Sequence, residues 1–486
     1  MTRPLRVLLL AAEAAPWAKS GGLGDVVGAL LPRLRKRGVD ARLLMPCYGW
    51  IPRQDLSGPQ AWSIRFGGET RQVGLRQLAS SDLPVYLLEC KSFYDRPYLY
   101  GPPGESYDDN AQRFALLNTA AIELGKLIGW WPDVFHCHDW QTALLPIYLN
   151  TRRLPQQLSH AATLFTIHNI AYQGWFSTEQ LRQLELGGAN AEHLGLARDN
   201  AINLMAGAVQ HATILSTVSP HYAKQIQADQ YGEGLQHLLR SRATDLFGVL
   251  NGIDQTIWNP RSDRLLPKTY DKDALSGKAF CKAELQRQAG LPAELETPLI
   301  GVVSRIDRQK GSDLIIEAAD EIAKIGAQLV VLGSGQPELE RAFAQVAQRL
   351  TGRFKVWLEF DEARAHLIEA GSDLFLMPSR WEPCGLNQMY SQRYGTLPIV
   401  RATGGLVDTV RPLQSDPTQG TGFLFGEATA EAMLGAVRAA TDMYRKDKTR
   451  FREAIARAMT LDHSWTRASA TYEYLYRLAV VRRHGG

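Results

Sequence analysis

The chain has 486 residues, which is long for one hydrophobic core and is typical of two domains. Its formal charge of +4, with 45% hydrophobic and 21% charged residues, is ordinary for a globular protein. So small a charge argues against nucleic acid or an anionic membrane as a main partner, and we expect neither. The five cysteines are widely spaced without a CxxC pair, which argues against a disulfide framework or a zinc site.

The N-terminus places Arg3 and Arg6 beside a short apolar run over residues 7–12. A secretory signal has a longer apolar region, and Glu13 ends this one. We therefore predict a buried first strand over Leu5–Ala12. No other stretch has the length of a membrane span, so we expect a cytoplasmic protein.

The rest of the first half alternates short apolar runs with helical patterns. Such alternation is typical of a parallel sheet covered by helices on both faces. The further predicted strands are Ala41–Pro46, Val85–Glu89, Val134–His138, Ala162–His168 and Ala212–Val218. The predicted helices include Val26–Arg37 and Asp109–Ile128.

The alternation restarts in the second half, which predicts two doubly wound α/β domains in series. The predicted strands here are Leu299–Ser304, Ala327–Gly333, Lys355–Phe360, Leu374–Pro378 and Pro398–Ala402. The predicted helices are Ser312–Ile325 and Pro337–Thr351.

Turn residues between Val249 and Glu296 place the domain boundary in that stretch. The predicted domains are residues 1–250 and 251–460, followed by a C-terminal segment over residues 461–486. That segment holds an aromatic-rich helix over Trp465–Arg482. It is either a docking helix that packs back on the first domain or an ordinary helix of the second.

The motif KSGGLGDV, residues 19–26, follows the first predicted strand and precedes a helix. Glycines such as Gly21 and Gly22 let backbone N–H groups approach a bound anion, and Lys19 adds a positive charge. The alternative is a tight strand-to-helix turn that binds nothing.

The motif SRIDRQKG, residues 304–311, follows the first strand of the second domain. Arg305 and Lys310 lie where open α/β sheets bind their ligands, and their charges suit a diphosphate leaving group. The alternative is a solvated basic loop.

The motif MPSRWEPCGLNQ, residues 377–388, carries a carboxylate and a glycine turn before a helix. Glu382 can accept hydrogen bonds from sugar hydroxyls, and the backbone amides of Gly385, Leu386 and Asn387 can hold phosphate oxygens. Alternatively, Glu382 pairs with the charge of the helix N-terminus. Cys384 is more typical of a packed thiol than of a nucleophile. A later motif, ATGGLVDTV over residues 402–410, predicts a second set of phosphate-facing amides.

Two predicted strands of the first domain end in polar residues. His136, His138 and Asp139 end one, and His168 and Asn169 follow the other. Because His136 and His138 are two residues apart on a strand, they point to the same face and suggest metal ligands. No HExxH or Cys/His cluster accompanies them, so we expect no metal.

Together these motifs resemble the bacterial glycogen synthases and plant starch synthases across nearly the whole chain. The motifs HDWQT, TIHNIAYQG and NGIDQTIWNP complete the set, in the order that the family has. The resemblance implies a GT-B fold, with two Rossmann-like doubly wound parallel-sheet domains and an interdomain cleft. It also implies glucose transfer from ADP-glucose to the non-reducing end of glycogen or another α-1,4-glucan, with retention of configuration and without a metal or cofactor.

The resemblance implies roles by motif position. Arg305 and Lys310 resemble the pair that neutralises the donor diphosphate, Glu382 resembles the carboxylate that orients the glucose, and His168 resembles a residue near its reacting face. Phe360 falls near where the family stacks adenine. The implied donor-side positions are Lys19, Gly21, Gly22, Asn251, Phe360, Cys384, Gly385, Leu386 and Asn387. The implied acceptor-side positions are Asp25, Asp139 and Asn169.

Several positions depart from the family pattern. Ser20, Gly24, Gln141 and Asn387 stand where Thr, Ala, His and Thr are often found, and we expect effects on acceptor binding more than on the reaction type. The residue eight positions after Glu382 is Tyr390, so a second carboxylate at that spacing is missing. This favours front-face transfer, in which the departing phosphate assists deprotonation of the attacking hydroxyl.

Three other functions compete with this one. A related retaining glycosyltransferase would use UDP-glucose or another acceptor. A phosphorylase would need a lysine that holds pyridoxal phosphate, and the sequence has no such signature. A glucan-binding scaffold with a decayed site conflicts with the intact set Lys19, His168, Arg305, Lys310 and Glu382.

Overall fold

The computed structural model describes residues 3–79, 81–102, 104–186, 191–198 and 200–485. The chain divides into two compact units. The first unit comprises Met1–Val249 and Trp465–Gly486, and the second unit comprises Leu250–Ser464. The chain therefore passes between the units twice, at 249/250 and at 464/465. The sequence predicted boundaries at 250/251 and 460/461.

The first unit contains a nine-stranded sheet and a small three-stranded antiparallel sheet. The strands of the large sheet are β1 (Arg6–Leu10), β2 (Asp40–Pro46), β3 (Gln60–Phe66), β4 (Glu69–Gln77), β5 (Val85–Glu89), β6 (Val134–His138), β7 (Ala162–Ile167), β11 (Ile214–Thr217) and β12 (Leu246–Gly248). The small sheet consists of β8 (Trp175–Ser177), β9 (Ala197–Arg198) and β10 (Ala201–Asn203).

The helices of the first unit cover this sheet. They are α1 (Gly22–Lys36), α2 (Lys91–Tyr94), α3 (Asn110–Ile128), α4 (Leu144–Thr151), α5 (Leu204–His211), α6 (Pro220–Gln225) and α7 (Gln236–Ser241), together with the C-terminal α16 (Trp465–Gly485). The central strands β6 and β7 are buried along their whole length, as expected of parallel strands covered on both faces. Gly129 ends α3 in the left-handed conformation at φ 64°, a position that favours glycine.

The second unit is built on a six-stranded sheet in which every pairing is parallel. Its strands are β13 (Leu299–Val303), β14 (Gln328–Leu332), β15 (Phe354–Trp357), β16 (Leu374–Met377), β17 (Leu397–Arg401) and β18 (Phe423–Phe425). Its helices are α8 (Ser276–Ala289), α9 (Ser312–Lys324), α10 (Pro337–Arg349), α11 (Glu362–Gly371), α12 (Asn387–Arg393), α13 (Gly405–Thr409), α14 (Ala430–Lys446) and α15 (Lys448–Thr460).

Each large sheet has a point at which its strand order reverses. In the first unit the order is β12-β11-β7-β6-β1-β2-β5-β4-β3, so the chain runs outward from β1 through β2 and later resumes at β6 on the other side. The second unit has the order β15-β14-β13-β16-β17-β18, with the same reversal between β13 and β16. Open α/β sheets bind ligands beyond the carboxyl ends of the strands at such points.

The C-terminal helix α16 belongs to the first unit. Its buried side chains Tyr472, Leu475 and Tyr476 pack against that unit, where α16 contacts α1, β6 and β7. Arg37, the residue that follows α1, donates through Nε to Glu473 Oε2 across 2.9 Å. In the structure, this aromatic-rich segment packs on the sheet and on α1 of the first unit.

The predicted strands of both halves are present, most within two residues of their predicted ends. Several features were not predicted. They include the small sheet of β8, β9 and β10, strands β12 and β18, and the antiparallel edge that β3 and β4 form on the large sheet. Helix α8 lies inside the stretch that the sequence suggested only as a boundary. Among the described residues, no helix is long and apolar enough to cross a membrane.

Leu475→Ala tests the docking of α16, because the Leu475 side chain is 1% exposed. We expect the variant to lower the unfolding free energy of the first unit by about 2–5 kcal/mol, the cost of a large-to-small change in a core. Hydrogen exchange should show lost protection in β6 and β7 and unchanged protection in α14. Val481→Ala is the control, since Val481 lies on the same helix and is 66% exposed. Loss of protection centred on the second unit would contradict the assignment.

Candidate active site

A buried carboxylate fixes the glycine-rich loop that follows β1. Glu13 is 3% exposed and accepts hydrogen bonds from the backbone N and Oγ of Ser20, at 2.5 and 2.7 Å. The hydroxyl of Tyr100 also donates to Glu13, across 2.5 Å. In the sequence, Glu13 was interpreted only as the end of an apolar run. Its position directly after a buried strand was the pattern that could have identified it as a loop anchor.

Two glycines of this loop, Gly21 and Gly22, are not required by the protein's own packing. A Cβ atom built on Gly21 or Gly22 would meet nothing within 4 Å. By contrast, a Cβ on Gly28 would lie 2.3 Å from the carbonyl oxygen of Ala15, so that glycine is needed for packing. The open space beside Gly21 and Gly22 is what a loop that binds a ligand through its backbone would have.

Lys19 and Asp25 form an ion pair within the same motif, with Nζ and Oδ1 2.7 Å apart. Burial raises the pKa of the Asp25 carboxyl, and the neighbouring ammonium group of Lys19 only partly offsets this. Lys19 is about half exposed, so its charge is available to a ligand as well as to Asp25.

The ends of β6 and β7 bring Asp139 and His168 together. Oδ1 of Asp139 accepts a hydrogen bond from the backbone N of His168 across 2.7 Å, and the backbone N–H of Asn169 also donates to this carboxyl. Asp139 has φ 55° and ψ −174°, a strained conformation that is rare for any residue other than glycine. Burial raises the pKa of Asp139 to about 8 despite these bonds, so the carboxyl carries a proton at neutral pH.

The side chain of His168 contacts a second histidine. His138 Nδ1 and His168 Nε2 are 2.9 Å apart and share one hydrogen bond. Burial lowers the pKa of His168 to about 3 and the pKa of His138 well below its ordinary value, so both rings are neutral at pH 7.

His136 does not take part in this pair. It shares a strand face with His138, as the spacing indicated, and the ring centroids are 4.0 Å apart. Its own nitrogens bond the Tyr476 hydroxyl at 2.8 Å and Thr166 Oγ1 at 2.7 Å. Among the residues that the structure describes, no group of three or more His, Cys, Asp and Glu side chains is placed to hold a metal ion.

In the second unit, an ion pair joins the loops that follow β13 and β16. Lys310 Nζ lies 2.6 Å from Glu382 Oε2, and Ser379 Oγ donates to the same oxygen across 3.0 Å. Glu382 is 5% exposed. Ser379 was not predicted from the sequence.

Arg305 lies in the same loop as Lys310. Its Nη2 atom is 3.3 Å from Gln309 Oε1 and 3.4 Å from Asp307 Oδ2, and about half of the side chain is exposed. Backbone packing brings the two loops close, since a Cβ on Gly311 would lie 2.3 Å from the carbonyl oxygen of Pro378. The structure thus places Arg305, Lys310 and Glu382 at one switch point.

The glycine turn after Glu382 is also closely packed. Cys384 is buried, and burial raises the pKa of its thiol to about 12, so it is no nucleophile at neutral pH. Gly385 has φ 73°, which favours glycine, and Leu386 precedes α12. The Asn387 side chain donates to the carbonyl oxygen of Val303 across 2.9 Å and so ties α12 to β13.

The prediction of a second set of phosphate-facing amides in ATGGLVDTV is wrong for Gly405. Its backbone N donates to the carbonyl oxygens of Glu382 and Pro383, each across 3.1 Å. A Cβ on Gly404 would lie 2.0 Å from the Glu382 carbonyl oxygen. These glycines therefore let the loop pack against the Glu382 backbone.

Asn251 lies beside the glycine turn of the second unit, and Phe360 lies after another strand of the same sheet. Asn251 is 6% exposed and lies beside Cys384, where hydrogen bonds link the two residues. Its Oδ1 atom has no hydrogen-bond partner within the described part of the chain. Phe360 follows β15 and is 85% exposed, the highest value among the large hydrophobic residues described.

Comparisons with known proteins match both halves of the chain. A family model described as the starch synthase catalytic domain matches residues 6–241, and one described as glycosyl transferases group 1 matches residues 285–458. Glycogen synthase 2 of Geobacter sulfurreducens is 42% identical over 485 residues, covering 99% of this chain and 100% of that protein. Glycogen synthase of Anaeromyxobacter sp. (strain Fw109-5) is 44% identical over 476 residues, covering 97% and 99%.

The chain belongs to the glycogen synthase and starch synthase family.

Solved structures agree with this family. The catalytic domain of starch synthase IV from Arabidopsis thaliana, bound to ADP and acarbose, matches with a TM-score of 0.89 and 35% identity, covering 98% of this chain and 100% of that one. Sucrose-phosphate synthase from Thermosynechococcus elongatus, at 19% identity and a TM-score of 0.62, shares the fold. This member of the glycogen synthase and starch synthase family is a glycosyltransferase whose two parallel-sheet units are those of the GT-B fold.

Asp139→Asn tests the buried, protonated carboxyl of this family member. The unfolded chain releases that proton above about pH 4, whereas the folded chain keeps it to about pH 8. The unfolded state therefore binds fewer protons in this window, and the group lowers stability as the pH rises. We expect the variant to gain stability over the wild type with rising pH, by up to about 1.4 kcal/mol per pH unit.

Denaturant unfolding at several pH values within this window measures that gain. The amide introduced by Asp139→Asn keeps an oxygen to accept the His168 backbone N–H. Asparagine matches aspartate in size and shape, so the backbone strain at this position is the same in both proteins. Asp82→Asn is the matched control, because Asp82 is exposed in a loop. Parallel pH curves for the Asp139 variant and the wild type would show that the carboxyl is ionised in the folded state.

Proposed function

We propose that this protein is a glycogen synthase that transfers glucose from ADP-glucose to the non-reducing end of an α-1,4-glucan, with retention of configuration. The observation that carries the proposal is the set of Arg305, Lys310 and Glu382 at the β13/β16 switch point. The relatives named glycogen synthase support the acceptor, and the starch synthase structure solved with ADP supports the adenine nucleotide.

The donor is held by the second unit in this proposal. Arg305 and Lys310 neutralise the diphosphate, on which negative charge grows as the sugar departs, so their contribution is larger in the transition state than in the ground state. Glu382 accepts hydrogen bonds from glucose hydroxyls through Oε1, since Lys310 and Ser379 occupy Oε2. Asn251, Cys384, Gly385, Leu386 and Asn387 form the remaining donor side, with Phe360 against the adenine.

The first unit supplies the acceptor side and the Gly-rich loop. Lys19, Gly21 and Gly22 contact the phosphates and the acceptor, with Asp25 holding Lys19 in place. Asp139 and Asn169 lie on the acceptor side, and His168 contacts the transferred glucose.

The chemistry of these side chains favours front-face transfer. Asp139 is protonated at neutral pH and its carboxyl accepts two backbone N–H bonds, so it is neither a nucleophile nor a strong base. A hydroxyl oxygen of the glucan bonds to the anomeric carbon as the bond from that carbon to the phosphate oxygen breaks. The hydroxyl proton passes to the departing phosphate, and the products are ADP and a glucan longer by one glucose.

Transfer of labelled glucose from ADP-glucose to glycogen, without added metal, tests the reaction. We expect label in the polymer, and a parallel reaction with UDP-glucose measures the preference for the base. Arg305→Ala should lower kcat by two to three powers of ten, on the order of the loss of one charge-stabilising group. Near-normal turnover of this variant would exclude the assigned role.

Arg308→Ala is the matched control for Arg305→Ala. Both arginines lie in the same loop, and both pair with nearby aspartates at 3.4–3.5 Å. Arg308 follows Arg305 by three positions and is 67% exposed. We expect the control to keep its turnover, which would show that the loss in Arg305→Ala comes from one specific guanidinium group.

Phe360→Ala tests the adenine contact. An exposed aromatic ring that stacks on the base contributes about 1 kcal/mol or more, so we expect KM for ADP-glucose to rise about fivefold to tenfold while kcat stays near normal. Phe280→Ala is a control, because Phe280 is also exposed, at 63%, on α8. Equal KM values for the wild type and Phe360→Ala would place adenine elsewhere.

A further inference from the structure

The buried pair of His138 and His168 can hold its shared proton in two ways. His138 is fully buried and His168 is 8% exposed, and a single hydrogen bond of 2.9 Å joins Nδ1 of the first to Nε2 of the second. A neutral imidazole has one N–H donor and one acceptor nitrogen. Either His138 donates through Nδ1 or His168 donates through Nε2, and the choice fixes the tautomer of both rings.

The remaining nitrogen of His138 decides between these two arrangements. His138 Nε2 is buried and has no hydrogen-bond partner among the described residues. If His168 donated, His138 would carry its proton on Nε2 as a buried, unpaired N–H group. If His138 donates, the same atom is only an unpaired lone pair. Buried N–H groups without a partner are rarer and costlier than under-satisfied acceptors.

The neutral state of both rings excludes the doubly protonated arrangement. Burial lowers the pKa of both histidines, and the neighbouring rings of His136 and His168 lower the pKa of His138 further. The ring of His136 lies 4.0 Å from His138 and is itself held by Tyr476 and Thr166. Among the described residues, neither ring has a carboxylate as a hydrogen-bond partner. A cationic His138 would therefore lack a counter-charge bonded to it.

We infer that His138 is a positioning residue that donates through Nδ1 and holds His168 in its Nδ1–H tautomer. His168 then presents an N–H donor, not a lone pair, on the side of the ring that faces away from His138. The backbone bond from His168 N to Asp139 holds the same residue at a second point, which fixes the ring position. Resting on the proposed function, this inference adds that His168 donates a hydrogen bond to an oxygen of the transferred sugar.

The tautomer is measured directly by nitrogen NMR on histidine-labelled wild-type protein. The chain has 11 histidines, and the His168 signals are assigned by their absence from a His168→Gln sample. We expect a protonated, pyrrole-type Nδ1 and an unprotonated, pyridine-type Nε2 for His168. The opposite pattern, with the proton on Nε2 of His168, would overturn the inference without reference to any activity.

A matched pair of variants tests the consequence for transfer. In His138→Asn, an amide N–H group replaces the Nδ1–H donor at the same distance from the backbone, whereas His138→Gln places its amide at the Nε2 position and leaves no donor toward His168. We expect kcat to fall about tenfold in His138→Gln, the value of one hydrogen bond, and by less than about threefold in His138→Asn. KM for the glucan should change little in either variant.

Tyr476→Phe controls for general disturbance of the buried cluster. It removes the hydroxyl that bonds His136 and leaves the His138–His168 contact in place. We expect normal kcat and an unchanged His168 tautomer. Equal losses in His138→Asn, His138→Gln and Tyr476→Phe would show that packing and not the donor matters, and would overturn the positioning role. A wild-type protein that transfers no glucose would refute the proposed function, while its NMR spectrum would still decide the tautomer.

Discussion

The ion pair between Lys310 and Glu382 is the contact on which the proposed donor side of the site depends. Each residue lies on a loop that leaves a different strand at the β13/β16 switch point, and the pair joins the two loops at 2.6 Å. Glu382 is nearly buried, so an unpaired charge there would cost several kcal/mol, roughly 3–5 when one partner of a buried pair is removed. The protein therefore stabilises the loops and positions the charges with the same contact.

In the first unit, hydrogen bonds to acidic side chains hold the loops that follow the strands. Glu13 holds the loop after β1 through Ser20 and Tyr100, and Asp139 holds the turn after β7 through backbone N–H groups. Asp139 keeps its proton at neutral pH, which removes the cost of burying a charge. In both units an acidic side chain beyond a strand end fixes a loop. Burial keeps Asp139 protonated, whereas Glu382 pairs with the ammonium group of Lys310.

The sequence predicted what depends on local pattern. Apolar runs between helical segments predicted the parallel strands, and the position of Arg305 and Lys310 after β13 follows from that alternation. Glu13 and Ser379 were missed because their roles arise from the folded course of irregular loops, which periodicity does not encode. The amides of Gly405 were assigned to phosphate because a glycine turn before a helix has the same local pattern whether it faces a ligand or, as here, the Glu382 backbone.

Each candidate cation is paired with a carboxylate of its own unit. Lys19 contacts Asp25 in the first unit, and in the second unit Lys310 contacts Glu382 and Arg305 lies near Asp307. In the proposed function these contacts orient the cations, so little reorganisation is needed when charge develops on the leaving group. His168 is held in the same manner, by Asp139 at its backbone and by His138 at its ring. In the proposed function, this orientation of the cations and of His168 is the preorganisation that a transfer without a nucleophilic carboxylate requires.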